Sequence, residues 1–187
     1  TALIAGVHKG FTAPSNAAGV REEEAINYEF GVRHQSDSRR MEVIGFLSDY
    51  DNLLGECTAS AGANCEVGDA FNGNAVTVRG VEIIAGTELA GSNIPLELAY
   101  TYIDGTFDTD IADTAFFGDV SAGDTIPYIP KHQLYAMIGF VQPQWAVHLS
   151  ANLVDETCVR ATCGVFEMTD SSFTVDVAGH FEDRSEE

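Results

Sequence analysis

An all-β fold, an antiparallel up-and-down meander of about eight strands, follows from three properties of this sequence. Apolar and polar residues alternate over stretches of ten residues or so. The connections between those stretches are short and long in turn. No run approaches the ~18 consecutive apolar residues that a membrane-spanning helix needs, so any membrane span must be β. The chain has 187 residues, 45% of them hydrophobic, with 18 Gly against 5 Pro. That length allows one domain with a real core.

The alternation is clearest from Trp145 to Val154. Trp145, Val147, Leu149, Ala151 and Leu153 share one face and Ala146, His148, Ser150 and Asn152 the other, as the two-residue side-chain period of a strand requires. Toward the end of the chain Phe173, Val175, Val177 and Phe181 oppose Thr174, Asp176, His180 and Glu182. Near its start Ile26, Tyr28, Phe30 and Val32 oppose Asn27, Glu29, Gly31 and Arg33. The same reading places strands near 2–11, 26–36, 40–50, 74–89, 95–107, 131–142, 145–155 and 172–183, each long enough to cross a bilayer at a tilt. Short turns at Ser36-Asp37-Ser38, Ala90-Gly91-Ser92-Asn93 and Gln142-Pro143-Gln144 interleave with long connections at 12–25, 51–73, 108–130 and 156–171. Short turns then lie on one side and long loops on the other, the arrangement of outer-membrane barrels, with short periplasmic turns and long extracellular loops.

Charge and cysteine narrow the function. A net charge of -20 repels phosphate backbones and anionic lipid headgroups, so nucleic acid is not expected as a partner. The four Cys fall as two local pairs, Cys57 with Cys65 and Cys158 with Cys163, each inside a polar loop; two local disulfides in an oxidising compartment are the expectation, although four Cys permit three connectivities. Neither pair has zinc-site spacing or a nearby His. The acids of the third long loop, Asp108 and Asp110 among them, lack the Gly and closing Glu of a calcium loop and read as a solvated surface. No nucleophile elbow, metalloprotease helix or phosphate-cradling loop is present, so the chain does not read as an enzyme, and no cofactor or metal is expected.

Several segments together resemble the second half of the barrel in TonB-dependent receptors. Gly6-Val7-His8-Lys9-Gly10-Phe11-Thr12-Ala13-Pro14-Ser15 is similar to that family's Gly, basic, Gly-Phe, Pro-Ser strand and loop entry. Asn27-Tyr28-Glu29-Phe30-Gly31-Val32-Arg33 resembles its Asn-Tyr-Glu-hydrophobic-Gly-x-Arg strand, followed by the upward strand through Phe46-Leu47-Ser48-Asp49-Tyr50-Asp51-Asn52-Leu53-Leu54. Arg79-Gly80-Val81-Glu82, Ala99-Tyr100-Thr101-Tyr102 and Tyr128-Ile129-Pro130-Lys131-His132-Gln133 continue the likeness in order. The ferric dicitrate type of siderophore receptor is the nearest in pattern.

The resemblance implies an open segment of a 22-stranded transmembrane β-barrel in the outer membrane of a Gram-negative bacterium. Residues 1–187 would be the thirteenth to twentieth strands of one barrel domain. The plug domain, the TonB box and the last two strands would lie outside it, in keeping with a start at Thr1 and an end on Glu182-Asp183-Arg184-Ser185-Glu186-Glu187. It implies uptake of a ferric siderophore, with the plug of the same chain, the TonB–ExbB–ExbD complex and outer-membrane lipid as partners.

Glu29, Arg33 and Glu82 are expected on the lumen face, as plug contacts or as mutually paired wall charges, and His148 and His180 join them there as solvated or hydrogen-bonded groups. Tyr28, Tyr100, Tyr102 and Trp145 are candidates for interfacial girdles. The long loops offer few bases, chiefly Arg21 and Arg160. An anionic citrate complex should be met by more, so the expected cargo is a neutral or cationic chelate of hydroxamate type. Two rival readings stand beside this one: a complete eight-stranded outer-membrane barrel, and a secreted β-sandwich binding module.

Overall fold

Period-two alternation becomes a single broad sheet in a computed structural model that describes residues 1–13, 19–56, 66–89, 92–114 and 118–182. Along the chain these form β1 (Ala2–Thr12), β2 (Glu23–Gln35), β3 (Arg39–Asp51), β4 (Leu54–Glu56), β5 (Ala70–Asn72), β6 (Val76–Leu89) and β7 (Ile94–Phe107). There follow β8 (Ile111–Thr114), β9 (Gly118–Val120), β10 (His132–Val141), β11 (Trp145–Val154), β12 (Thr157–Cys158), β13 (Met168–Thr169) and β14 (Ser172–Phe181). The eight long strands start and stop within about three residues of their expected bounds. Three short hairpins, β4–β5, β8–β9 and β12–β13, lie inside three of the long connections and were not expected.

The long strands pair antiparallel in the order β1-β2-β3-β6-β7-β10-β11-β14, so each is hydrogen-bonded to the next long strand in sequence. Among the described residues β1 and β14 do not pair, and the three hairpins form separate two-stranded sheets. A closed eight-stranded barrel would join those edges, and a sandwich would need a second large sheet; this topology has neither. The pairing runs without a register shift, from Ala2 opposite Arg33 at one edge to Val154 opposite Ser172 at the other. A slip of one residue would turn a strand's apolar side chains to the other face.

That unbroken register assembles one apolar face. Val7 lies opposite Tyr28, Tyr28 opposite Leu47, and Phe30 opposite Ala5 and Gly45. Leu98 lies opposite Ala85 and Ala136, Leu149 opposite Ile138 and Val177, and Leu153 opposite Phe173. These large side chains are exposed: Phe30 is 64% exposed and Val177 73%. Each such side chain gains ~1.5–3 kcal/mol on leaving water, so the face as a whole forgoes on the order of tens of kcal/mol unless hydrocarbon covers it. Monomeric soluble proteins rarely leave contiguous apolar patches beyond a few hundred Å² uncovered.

Polar residues bound the face at both ends. On β2 it runs from Glu24 to His34 and on β3 from Asp49 to Arg39. Ten residues at ~3.3 Å each span about 33 Å along a strand, and a barrel tilt of ~40° reduces this to roughly 25 Å of height, the thickness of a membrane barrel's apolar band. Tyr28 sits four residues inside Glu24, within this band and not at its rim. Trp145 is at the rim, beside the Gln142-Pro143-Gln144 turn, and Tyr100 and Tyr102 flank His132 toward the long-loop end.

On the opposite face glycines receive their neighbours' side chains. A Cβ at Gly80 would lie 2.6 Å from the Phe46 ring, and one at Gly139 2.8 Å from the His148 ring. The conventional core is small and lies where the strands meet the long loops: Val76, Phe107, Val120, Ile126 and Ala161, with Tyr50, Leu53, Ile111 and Ile129 against it.

Placing a charge in the middle of the apolar band tests which side meets lipid. In the full-length protein Leu98→Arg is expected to lower folding stability in bilayers by about 2–4 kcal/mol, whereas Thr101→Arg on the polar face costs less than about 1 kcal/mol. Urea titration of bilayer-inserted protein measures both.

Candidate functional site

The polar face and the loop rim hold the chemistry. Strand parity puts Glu29, Arg33, Glu82, His148 and His180 on that one face, because Arg33 lies opposite Glu42, Glu82 opposite Ile44 and Thr101, His148 opposite Gly139, and His180 opposite Ala146. They do not converge on a single centre. Arg33 donates from Nε to the Glu42 carboxylate, an ion pair. Arg40 reaches Glu97 at 2.7 Å, and His180 lies 3.6 Å from Glu182. The Glu29 and Glu82 carboxylates have no hydrogen-bond or ion-pair partner among the described residues.

Arg33 is therefore neutralised within the wall, while Glu29 and Glu82 keep free acceptors. Glu42 and the Arg40–Glu97 pair were not singled out in the sequence. The signal was there, since a tight turn at Ser36-Asp37-Ser38, closed by Ser36 N donating to Arg39 O at 2.8 Å, sets Arg33 opposite Glu42 by counting back along the hairpin.

The loop bases have local duties. Arg21 donates from Nη2 to Asn52 Oδ1 at 2.6 Å, and its backbone exchanges two hydrogen bonds with the Asn72 side chain, N to Oδ1 at 2.8 Å and Nδ2 to O at 2.9 Å. Leu54 N donates to Glu23 Oε2 at 2.7 Å, so the end of the first loop is stitched to the second. Arg160 lies 3.8 Å from Glu167 in the fourth loop. That loop is closed by the Cys158–Cys163 disulfide and joined to the third loop by Tyr128 N donating to Cys158 O at 2.8 Å. Cys57 and Cys65, expected as the other pair, lie outside the described residues. Val165 and Phe166 stand exposed just beyond the disulfide, in the turn closed by Glu167 N donating to Gly164 O.

On the apolar face toward the loops, Arg79 and Lys131 both bind Asp104, at 2.9 and 3.5 Å. His132 lies between two tyrosines, with Tyr100 Oη 2.8 Å from its Nδ1 and the Tyr102 ring 5.2 Å away. Ring edges that are apolar on one side and hydrogen-bonded on the other suit a membrane interface. Among the described residues no group of three or more His, Cys, Asp or Glu is arranged to hold a metal ion.

The comparisons with known proteins agree with this geometry. The family model described as TonB dependent receptor-like, beta-barrel matches residues 1–182. Among solved structures, the copper transporter OprC is similar over 96% of this chain and 29% of its own, at 14% identity and a TM-score of 0.71. The ferric yersiniabactin uptake receptor FyuA from Yersinia pestis covers 96% of this chain at 16% identity and a TM-score of 0.63, over 26% of its own length. The ferric enterobactin receptor PfeA from Pseudomonas aeruginosa covers 98% at 15% identity and a TM-score of 0.67, over 31% of its length. This chain thus spans under a third of each. No curated protein matches it.

In the fourth loop Thr162 Oγ1 donates to Glu167 at 2.7 Å and Gly164 N at 3.1 Å, and these bonds, with the Arg160 charge, hold the Glu167 carboxyl below the usual glutamate range. A depressed folded value contributes stability that is present above the unfolded value and lost as pH falls through the folded one. Protection of the 158–168 amides against hydrogen exchange is therefore expected to hold from about pH 7 to about pH 5 and to fall only below the ordinary glutamate value of about 4.3. Glu167→Gln should remove this pH dependence.

Proposed function

This chain belongs to the TonB dependent receptor-like β-barrel family of the Gram-negative outer membrane, and on that footing we propose that it supplies eight consecutive wall strands and the outward loops of a receptor importing ferric siderophores. The match along residues 1–182 is the observation that carries this reading. The rest of a 22-stranded barrel and the plug lie in other parts of the same protein, and the TonB–ExbB–ExbD complex drives uptake from the periplasm. Two of the similar structures are named for ferric chelates, which supports iron as the cargo.

In this reading the apolar face of the sheet meets lipid and the polar face lines the lumen. Glu29 and Glu82, whose carboxylates lack partners in the wall, receive basic groups of the plug. Arg33 stays with Glu42 and holds β2 to β3. The rim offers an anionic cargo little: Arg21 is engaged with Asn52 and Asn72, and Arg160 faces Glu167. Exposed Val165 and Phe166, in a chain of net charge -20, instead favour a neutral or cationic chelate with apolar surface, a hydroxamate type.

Transport by the full-length receptor in a receptor-deleted strain tests this. TonB-dependent uptake of radioactive iron is expected with a ferric hydroxamate and at least about tenfold less with ferric citrate, a difference of about 1.4 kcal/mol in recognition. Arg21→Ala and Arg160→Ala should each change hydroxamate uptake by less than about twofold. Preference for ferric citrate, or for copper, the metal named for one of the similar structures, would overturn the choice of cargo.

A further inference from the structure

Alternating outer-face rows leave a groove in the apolar surface between β3 and β14. It encloses about 950 Å³. One wall is the row in which Leu98 is flanked by the small residues Ala85, Ala136 and Ala151; the other is the row of Leu96 and Ile138. Its floor is the backbone between those rows, including Gly86. The walls share the parity of Val43, Val81 and Leu149, so the groove opens on the lipid side of the sheet and not into the lumen. It crosses β3, β6, β7, β10, β11 and β14, and five strand spacings of ~4.8 Å give it a length of about 24 Å.

Arg39 stands at its β3 end. Every other described base has a side-chain partner: Lys9 has Glu24, Arg21 has Asn52, Arg33 has Glu42, Arg40 has Glu97, Arg79 and Lys131 share Asp104, and Arg160 has Glu167. Among the described residues the Arg39 guanidinium has none. The nearest carboxylate along β6, Glu88, lies on the other face by parity, since Thr87 is the residue opposite Arg39. His34, hydrogen-bonded to Thr1 Oγ1 at 2.8 Å, lies opposite Met41 in the same rim. An unpaired guanidinium at the turn end of the lipid face, where a barrel meets the periplasmic leaflet, fits a phosphate group.

We propose that this groove is a specific binding site for one diacyl phospholipid of the periplasmic leaflet, with an acyl chain lying between the row of Ala85, Leu98, Ala136 and Ala151 and the row of Leu96 and Ile138, and the phosphate held by Arg39. The proposal rests on the reading of this face as membrane-facing. Ala85, Ala136 and Ala151 lower one wall on either side of Leu98 and so widen the groove. The occupant is a lipid and not a second barrel because the cavity is an apolar trench with an unpaired guanidinium, Arg39, at its end, Arg40 being paired with Glu97, and this matches a chain with a phosphate head.

Native mass spectrometry of the full-length receptor, released from mild detergent with added palmitoyl-oleoyl phosphatidylglycerol, tests the site. One retained phospholipid per receptor is expected. Ala136→Phe, or the milder Ala151→Leu, should abolish retention, and Arg39→Ala should reduce it about tenfold while leaving uncharged diacylglycerol retention unchanged. Ala5→Phe, on the same face of β1 but outside the groove, should retain the lipid. Equal lipid occupancy in all variants would mean bulk annular lipid and overturn the proposal, as would a receptor dimer that excludes lipid. Because retention is read without transport, a receptor that holds the lipid but imports no ferric chelate would sink the proposed cargo and leave this site standing.

Discussion

Everything in this sheet depends on an uninterrupted backbone ladder. In hydrocarbon no water replaces a missing hydrogen-bond partner, and each unpaired N–H or C=O costs several kcal/mol, so strands cross a membrane only when paired along their whole length. Between β1 and β14 every shared edge meets that demand without a slip, while the outer edges of β1 and β14 have no partner strand among the described residues. Because the register never shifts, parity is preserved over eight strands, and one face is apolar from edge to edge while the other collects the ionised side chains.

Those faces divide the labour. The apolar side carries its charges toward its limits, Lys9 with Glu24, Asp49, and Arg79 with Asp104 toward the loops and Arg39 toward the turns. The polar side carries the Arg33–Glu42 and Arg40–Glu97 pairs, which in the proposed reading face a large barrel's interior, wet or filled by protein. Above the membrane the loops are built structures: a small core around Val76 and Phe107, stitches from Arg21 and Glu23, and a disulfide from Cys158 to Cys163.

The long strands were readable because their length repeats the two-residue period many times; the strand expected at 145–155 runs from Trp145 to Val154, one residue shorter. Hairpins of two to four residues such as Thr157–Cys158 with Met168–Thr169 carry too few repeats to show a period. Face assignments for Glu29, Arg33, Glu82, His148 and His180 followed from parity, yet the partner of Arg33 required the register that the Ser36–Arg39 turn sets. The fates of Arg21 and Tyr28 were not readable. Arg21 is fixed by Asn72, fifty-one residues away, and the depth of Tyr28 depends on where the polar limits of β2 and β3 align.

The central claim is that the apolar face of this sheet meets lipid and its polar face does not. Single spin labels placed in turn at positions 146 to 153 of β11 in the full-length, bilayer-inserted protein measure this directly. Labels at Val147, Leu149, Ala151 and Leu153 are expected to relax with a lipid-soluble collider, and those at Ala146, His148, Ser150 and Asn152 with a water-soluble one or with neither. Accessibility without a two-residue alternation, or with the two sets exchanged, would contradict the account.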